Sequence, residues 1–254
     1  MALESAAAVI EQIRRPVVNP PAPVLRTGRD EVYRRLHEIP GLRCPKTVRL
    51  FPEHVSDIGE LLTAGEGGAA RPPFLVREAG THGSTKLELV STEADLPRLD
   101  RFAFDGRAFY LIEFVDYRSA DGLYRKYRAV VIGGRLFLRH LITSDSWKVH
   151  SRSRRGVMAQ STELRDEEVR ALESFDPGEH PRFGRIWAEL ELDYFGVDHG
   201  YDLDGNMVVF EVNCCFRPLV LGEALEQHHH DRVAAMRAAF TELVWERAGR
   251  VPVV

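Results

Sequence analysis

Two short hairpins in this chain bring like charges face to face. Asp204-Gly205 is a strong turn signal between two runs that alternate with period two, Val197 to Leu203 and Asn206 to Asn213. With a two-residue loop, Leu203 pairs with Asn206, and the same register sets Asp198 opposite Glu211. Cross-strand Cβ atoms lie ~5 Å apart, so two carboxylates there repel unless a cation relieves them. Asn213 shares the face of Glu211 and adds a third oxygen. Hard oxygen donors suit magnesium, which keeps several waters and bridges substrate phosphates. The alternative is an acidic, solvated sheet face that needs no ion. In the second hairpin, Tyr124 to Arg139, Gly133-Gly134 is the turn, and the register places Arg128 opposite Arg139. Two guanidiniums facing one another call for an anion, and their forked donors suit phosphate or acyl oxygens. One hairpin gathers acids and the other gathers cations, a combination that fits a polyphosphate with its metal.

The elements that must position these groups follow from periodicity. Phe183, Ile186, Trp187, Leu190 and Tyr194 recur at helical spacing, and Gly196 is expected to stop that helix. Residues 1–20 read as a short helix and a proline-broken connector, followed by a helix from Thr27 to His37 that Pro40-Gly41 ends. Strands are expected at Cys44 to Leu50, Phe74 to Val76, Leu87 to Val90 and Phe109 to Asp116, and helices at Val55 to Leu62, Glu163 to Phe175 and Arg232 to Ala248. Between Arg77 and Leu87 a loop holds Gly80 and Gly83, whose backbone amides, with His82 and Lys86, could approach an anion; a bare hairpin with an exposed lysine reads equally well. The spacing is not that of a P-loop. The apolar run ending in Glu113-Phe114-Val115-Asp116 offers edge groups for a purine and a carboxylate for ribose, or is simply a buried strand leaving the core. Ser144 to Arg155 is a basic loop in which Lys148, His150 and the Arg152/Arg154/Arg155 cluster meet either an acidic substrate or solvent.

Composition narrows the function classes. With 44% hydrophobic residues in 254, the chain can bury one core or two packed ones. A net charge of -4 lacks the basic excess of a generic nucleic-acid binder. No apolar run approaches the ~20 residues of a membrane span, and the N-terminus lacks the order of a signal peptide, so a cytoplasmic protein is expected. Three cysteines make no disulfide framework; Cys214-Cys215 read as packing residues, and His228-His229-His230 point in too many directions for one metal.

The order strand–Arg77–glycine loop, hinge Leu111–Asp116, YRKYRAVVIGG and VDHGYDLDGNMVVFEVN resembles the ATP-grasp enzymes, most of all the glutathione synthetase and ribosomal-protein glutamate-ligase branch, over roughly Gly41 to Pro218. The acid set is the most specific part. The resemblance implies an α+β ATP-grasp fold, two α+β subdomains clasping ATP; the family normally begins with an extra α/β domain, and little or none of it is expected here before Gly41. Expected limits are 1–40 for a helical arm, 41–110 for the small subdomain and 111–254 for the large one with the metal site. It implies magnesium on Asp198, Glu211 and Asn213; ATP on Arg49, Arg77, His82, Lys86, Glu113, Phe114, Val115 and Asp116; and Arg128 and Arg139 on the acyl phosphate and acceptor carboxylate. Arg77 stands where the family usually has lysine. The implied activity is Mg-ATP-dependent ligation of a carboxylate to an amine or thiol through an acyl phosphate, with small-molecule or peptide substrates. A partner protein, or a second subunit in a homodimer, is expected to complete the acceptor site. A kinase on the same fold and a non-catalytic nucleotide-binding module are the rival readings.

Overall fold

The computed structural model describes residues 2–10, 12–13, 16–54, 56–58, 72–81, 86–216, 219 and 227–249. Helices α1 (Ala2–Ile10), α2 (Pro21–Leu25) and α3 (Arg29–Leu36) lead into two sheets. The connector around NPPAP therefore contains a helical turn, since proline is tolerated in the first turn of a helix and Pro21 and Pro23 sit there. The small sheet has the order β2-β5-β3-β4, from Thr47–Leu50, Phe109–Glu113, Phe74–Glu78 and Leu87–Val90, all antiparallel. The large sheet has the order β1-β9-β8-β6-β7, from Leu42–Arg43, Met207–Asn213, Tyr194–Tyr201, Tyr124–Ile132 and Arg135–Ser144. Strand β1 pairs with β9, so the first strand after residue 41 belongs to the large sheet, and β5 carries the small sheet on to Glu113.

Helices α4 (Val157–Gln160), α5 (Thr162–Glu173), α6 (Arg182–Leu190) and α7 (Gln227–Arg247) complete the large layer. Its core has two sides. Leu36, Phe183, Ile186 and Leu190 close over Phe195 and Val197 on one face, while Val233, Met236 and Leu243 cover Val130 and Ile132 on the other. The small sheet packs Phe74, Val76, Phe109 and Leu111 around Ile58 and Leu99. Each such side chain contributes about 1.5–3 kcal/mol when fully buried. Helix α6 stops earlier than the apolar stripe suggests. Glu191 takes a left-handed conformation (φ 54°) and the Trp187 indole donates to the Leu192 carbonyl, so Tyr194 and Gly196 belong to β8. Among the described residues no helix is long and apolar enough to cross a membrane.

Both hairpins depart from an unbroken ladder. The Gly133-Gly134 tip is the expected two-residue turn, with φ of 55° and 78° and Ile132 opposite Arg135. A bulge between Arg128 and Ala129 then shifts the pairing by one, so Arg128 faces His140 and not Arg139. The other tip is a five-residue loop. The Asp202 Oδ1 accepts from the amides of Asp204 and Asn206, at 3.1 and 2.8 Å, and pulls the chain round before Leu203 can pair; that leucine is 77% exposed. Tyr201 pairs with Met207, one step off the expected register, and a second bulge between Asp198 and His199 restores it, so Asp198 does lie opposite Glu211.

Gly200, next to that bulge, has no room for a side chain. A Cβ there would sit 2.8 Å from the Tyr117 ring and 2.9 Å from the Arg125 carbonyl oxygen. Gly200→Ala is expected to destabilise the chain by about 1–3 kcal/mol, read as a lower denaturant midpoint at unchanged slope.

Candidate functional site

The two bulges align four strands beside one another. His140, Arg128, Asp198 and Glu211 form one cross-strand row over β7, β6, β8 and β9, flanked by Lys126 and Asn213 two residues along their strands. Each bulge also leaves a residue outside the ladder. At Phe210 the freed carbonyl accepts from Arg29 of α3, which reaches the Glu211 carboxylate at 3.3 Å as well. Helix α3 thus secures strand β9.

Asp198 is 5% exposed, which alone would favour its neutral form. Lys126 and Arg128 overcome this and hold the carboxyl well below the usual range. The Arg128 guanidinium grips it with both arms, Nη2 at 2.6 Å from Oδ2, and the Lys126 ammonium lies at 3.3 Å. Arg128 also sits over the Phe216 ring. Burial, with Arg29 nearby, lowers the Arg77 guanidinium to about 10, still cationic at neutral pH.

These groups line a cleft of about 440 Å³ to which both sheets contribute. Leu75, Leu87, Ile112, Phe114, Val115 and Trp147 give it an apolar lining as well. Trp147 meets Phe114 edge-on, and its carbonyl accepts from the Tyr117 hydroxyl at 3.0 Å, which ties the loop after β7 to the segment after β5. The Glu113 carboxylate is engaged by Arg43 and by the Lys46 amide. An apolar lining with a few convergent charged groups is the usual make-up of a small-molecule site.

Oxygen donors for a cation are present as two carboxylates and an amide. Among the described residues no group of three or more His, Cys, Asp or Glu is placed to hold a metal. That donor set suits magnesium, which is held by one or two carboxylates together with substrate phosphates, and suits zinc poorly. The Asn213 Oδ1 presently accepts from the Cys215 amide at 2.7 Å.

No protein-family model and no curated protein matches the chain by sequence. Solved structures do match in shape. D-alanyl-alanine synthetase A from Vibrio cholerae O1 biovar eltor superposes with a TM-score of 0.56 at 12% identity, over 92% of this chain and 69% of that one. An ATP-grasp RimK domain protein from Sphaerobacter thermophilus gives 0.51 at 20%, over 93% and 75%. The VanG D-Ala:D-Ser ligase from Enterococcus faecalis gives 0.52 at 16%, over 88% and 62%. The chain has the ATP-grasp fold. At these identities the likeness is one of architecture, and the chain spans 62% of the length of the VanG ligase and 57% of a carboxyaminoimidazole ribonucleotide synthase.

Within the ATP-grasp frame, the residues expected at the site divide into three groups. Arg77, Glu113, Phe114, Val115, Arg128, Asp198, Glu211 and Asn213 all line the cleft, as do Lys148 and His150. Arg49, Lys86, Asp116 and Arg139 do not. Arg49 is claimed by Asp30 and Tyr110, Lys86 by Glu78, and Asp116 by Arg118. Arg139, the bulged residue of β7, is buried near His229, with Nη1 3.4 Å from its Nδ1. His82 and Gly83 lie outside the described residues. Arg29, Lys126 and His140 were not foreseen. Lys126 carries a readable signal, two residues before Arg128 on the same strand face; Arg29 comes from a distant helix and has none.

The three cysteines differ sharply in access. Burial pushes the Cys44 thiol up to about 12 and Cys214 to about 11, whereas Cys215 is exposed and lines the cleft. One thiol is expected to react quickly with an aromatic disulfide reagent, and saturating magnesium nucleotide is expected to slow it; equal rates with and without nucleotide would count against a ligand beside Cys215.

Proposed function

We propose that the chain is a Mg-ATP-dependent carboxylate–amine (or thiol) ligase of the ATP-grasp fold, acting through an acyl phosphate. The observation that carries this reading is the charged row, Arg128, Asp198 and Glu211 side by side in a cleft that apolar side chains also line. The adenine lies among Leu75, Ile112, Phe114, Val115 and Trp147. Arg77 and Lys148 hold phosphate oxygens, and Arg29 steadies Glu211. Asp198, Glu211 and Asn213 hold magnesium, which supplies charge neutralisation on the phosphates. A substrate carboxylate oxygen attacks the γ-phosphorus, the bond to ADP breaks, and the acyl phosphate forms; an amine then attacks the acyl carbon and phosphate leaves. Arg128 offsets the negative charge that builds up in both steps. Residues 1–40, 41–110 and 111–254 act as arm, small and large subdomain, with β1 lent to the large sheet.

One observation favours a second reading, a nucleotide-binding module without turnover. Asp198 is already neutralised by Arg128 and Lys126, so an empty site is electrostatically content. Incubation with Mg-ATP, hydroxylamine and a panel of carboxylic acids separates the readings. ADP together with an acyl hydroxamate supports the ligase. ADP without hydroxamate indicates a kinase, and magnesium-dependent nucleotide binding without ADP indicates the module. No nucleotide binding at all sinks all three.

A further inference from the structure

Strand β9 ends at Asn213, and two adjacent cysteines follow it, of which Cys215 lines the cleft. Sequence alone suggests a packing role for both, but only Cys214 packs. It is half-buried against the core that holds Phe195 and Val197, whereas Cys215 is exposed. The two side chains are hydrogen-bonded to one another.

Both flanks of the pair are tied down. On one side the Cys215 amide donates to the Asn213 Oδ1 at 2.7 Å. On the other, the Phe216 ring stacks on Tyr194, with centroids 5.3 Å apart and planes within 8°, and lies 5.6 Å from the Arg128 guanidinium carbon. It also fills the space a Cβ on Gly196 would need, at 2.6 Å. Phe216 is thus wedged in place, and the Asn213 oxygen is held through the cysteine backbone.

We propose that Cys214 and Cys215 are an oxidation site for hydroperoxides, closing to a vicinal disulfide that loosens Asn213 at the edge of the charged row. Access sets the order of events. The Cys215 sulfur attacks a peroxide oxygen, the O–O bond breaks, and Cys215 becomes a sulfenic acid as an alcohol or water leaves. The Cys214 sulfur then attacks the Cys215 sulfur. The S–S bond forms, the S–O bond breaks, and hydroxide leaves as water with the Cys214 proton. Two thiols are oxidised and one hydroperoxide is reduced. Adjacent Cα atoms stand ~3.8 Å apart across a trans peptide, less than the ~4.4–6.8 Å a disulfide usually spans, so the backbone between them must turn. With Phe216 wedged, the Cys215 amide gives way and Asn213 loses its donor. A strained bond of this kind is readily reduced, which makes the change reversible. Its effect on nucleotide binding rests on the reading of Asn213 as a magnesium ligand; the disulfide itself does not.

The test treats the full chain with hydrogen peroxide, maps unreduced peptides by mass, and titrates a fluorescent nucleotide analogue with magnesium before and after. A Cys214–Cys215 peptide lighter by two hydrogens is expected, restored by dithiothreitol and formed equally in Cys44→Ser. Cys214→Ser is expected to stop at a Cys215 sulfenic acid that dimedone traps. Oxidation is expected to weaken magnesium nucleotide binding about tenfold, and reduction to restore it. Cys215 carried to the sulfinic acid with Cys214 untouched, a bond to Cys44, or a bond between two chains overturns the proposal. So does a vicinal disulfide that leaves nucleotide affinity unchanged. Failure of the ligase reading looks different: binding that oxidation weakens reversibly, with neither ADP nor hydroxamate formed.

Discussion

An Asp198→Asn chain is expected to bind magnesium nucleotide at least about a hundredfold more weakly than the parent. Even residues that only support a metal ligand cost ten- to a hundredfold when changed, and under the proposed function a direct oxygen donor loses its charge here. The same change leaves the Arg128 guanidinium and the Lys126 ammonium against a neutral amide in a site that is 5% exposed. Some loss of stability is therefore expected with it. Glu211→Gln separates the two effects, because its partner Arg29 sits at 3.3 Å and the carboxylate is only partly buried. It is expected to lower magnesium-dependent affinity with little change in unfolding midpoint. Fluorescence titration of a nucleotide analogue over a range of magnesium concentrations reads both. If the two variants keep the magnesium dependence of the parent, these acids do not hold the metal.

The second large effect is structural. Glu168→Gln is expected to destabilise the chain by about 1.5–3 kcal/mol, the worth of hydrogen bonds to a charged group, since the Arg154 side chain left behind is 27% exposed. The Glu168 carboxylate, 3% exposed, takes both arms of Arg154, lies 3.7 Å from the His229 ring and accepts the Leu141 amide at 3.2 Å. Strand β7 is the sheet's edge, and that amide, like the Thr143 amide that meets the Met158 sulfur, is satisfied by a side chain where a sixth strand would otherwise be needed. Urea unfolding measures the loss. Glu168→Leu combined with Arg154→Met should recover part of it, since no buried charge is then left without a partner. A single variant within about 0.5 kcal/mol of the parent would show that the pair is better solvated than its burial implies.

The residues that line the cleft are readable in the sequence wherever they lie close to a turn. The charged alternation around Gly133-Gly134 and before Asn213 located Arg128, Asp198, Glu211 and Asn213 without reference to any distant segment. Two compensating departures made the Asp198–Glu211 pairing come out right: the loop at Asp202 is longer than its Asp-Gly suggests, and the bulge at His199 takes up the difference. No such cancellation occurs in the other hairpin, so the inferred Arg128–Arg139 confrontation gives way to Arg128 beside His140. Charges whose role depends on distant partners could not be read locally. Arg49, basic and well placed in sequence, is held by Asp30 of α3, while Arg29 from the same helix reaches the cleft. Local pattern says which side chains share a face; it does not say which helix will lie across that face.

The interruptions in the two ladders carry an implication for how such a protein can change. Sheet register normally forbids one-residue insertions, because every side chain beyond the change turns over. Here each arm already holds a spare residue, Arg139 in one and Phe210 in the other, between the tip and the row. A length change at the Asp202–Asn206 loop or at the glycine tip can be absorbed by shifting or erasing that spare. The outer ends of both hairpins are thereby left open to remodelling, while Arg128, Asp198 and Glu211 keep their alignment.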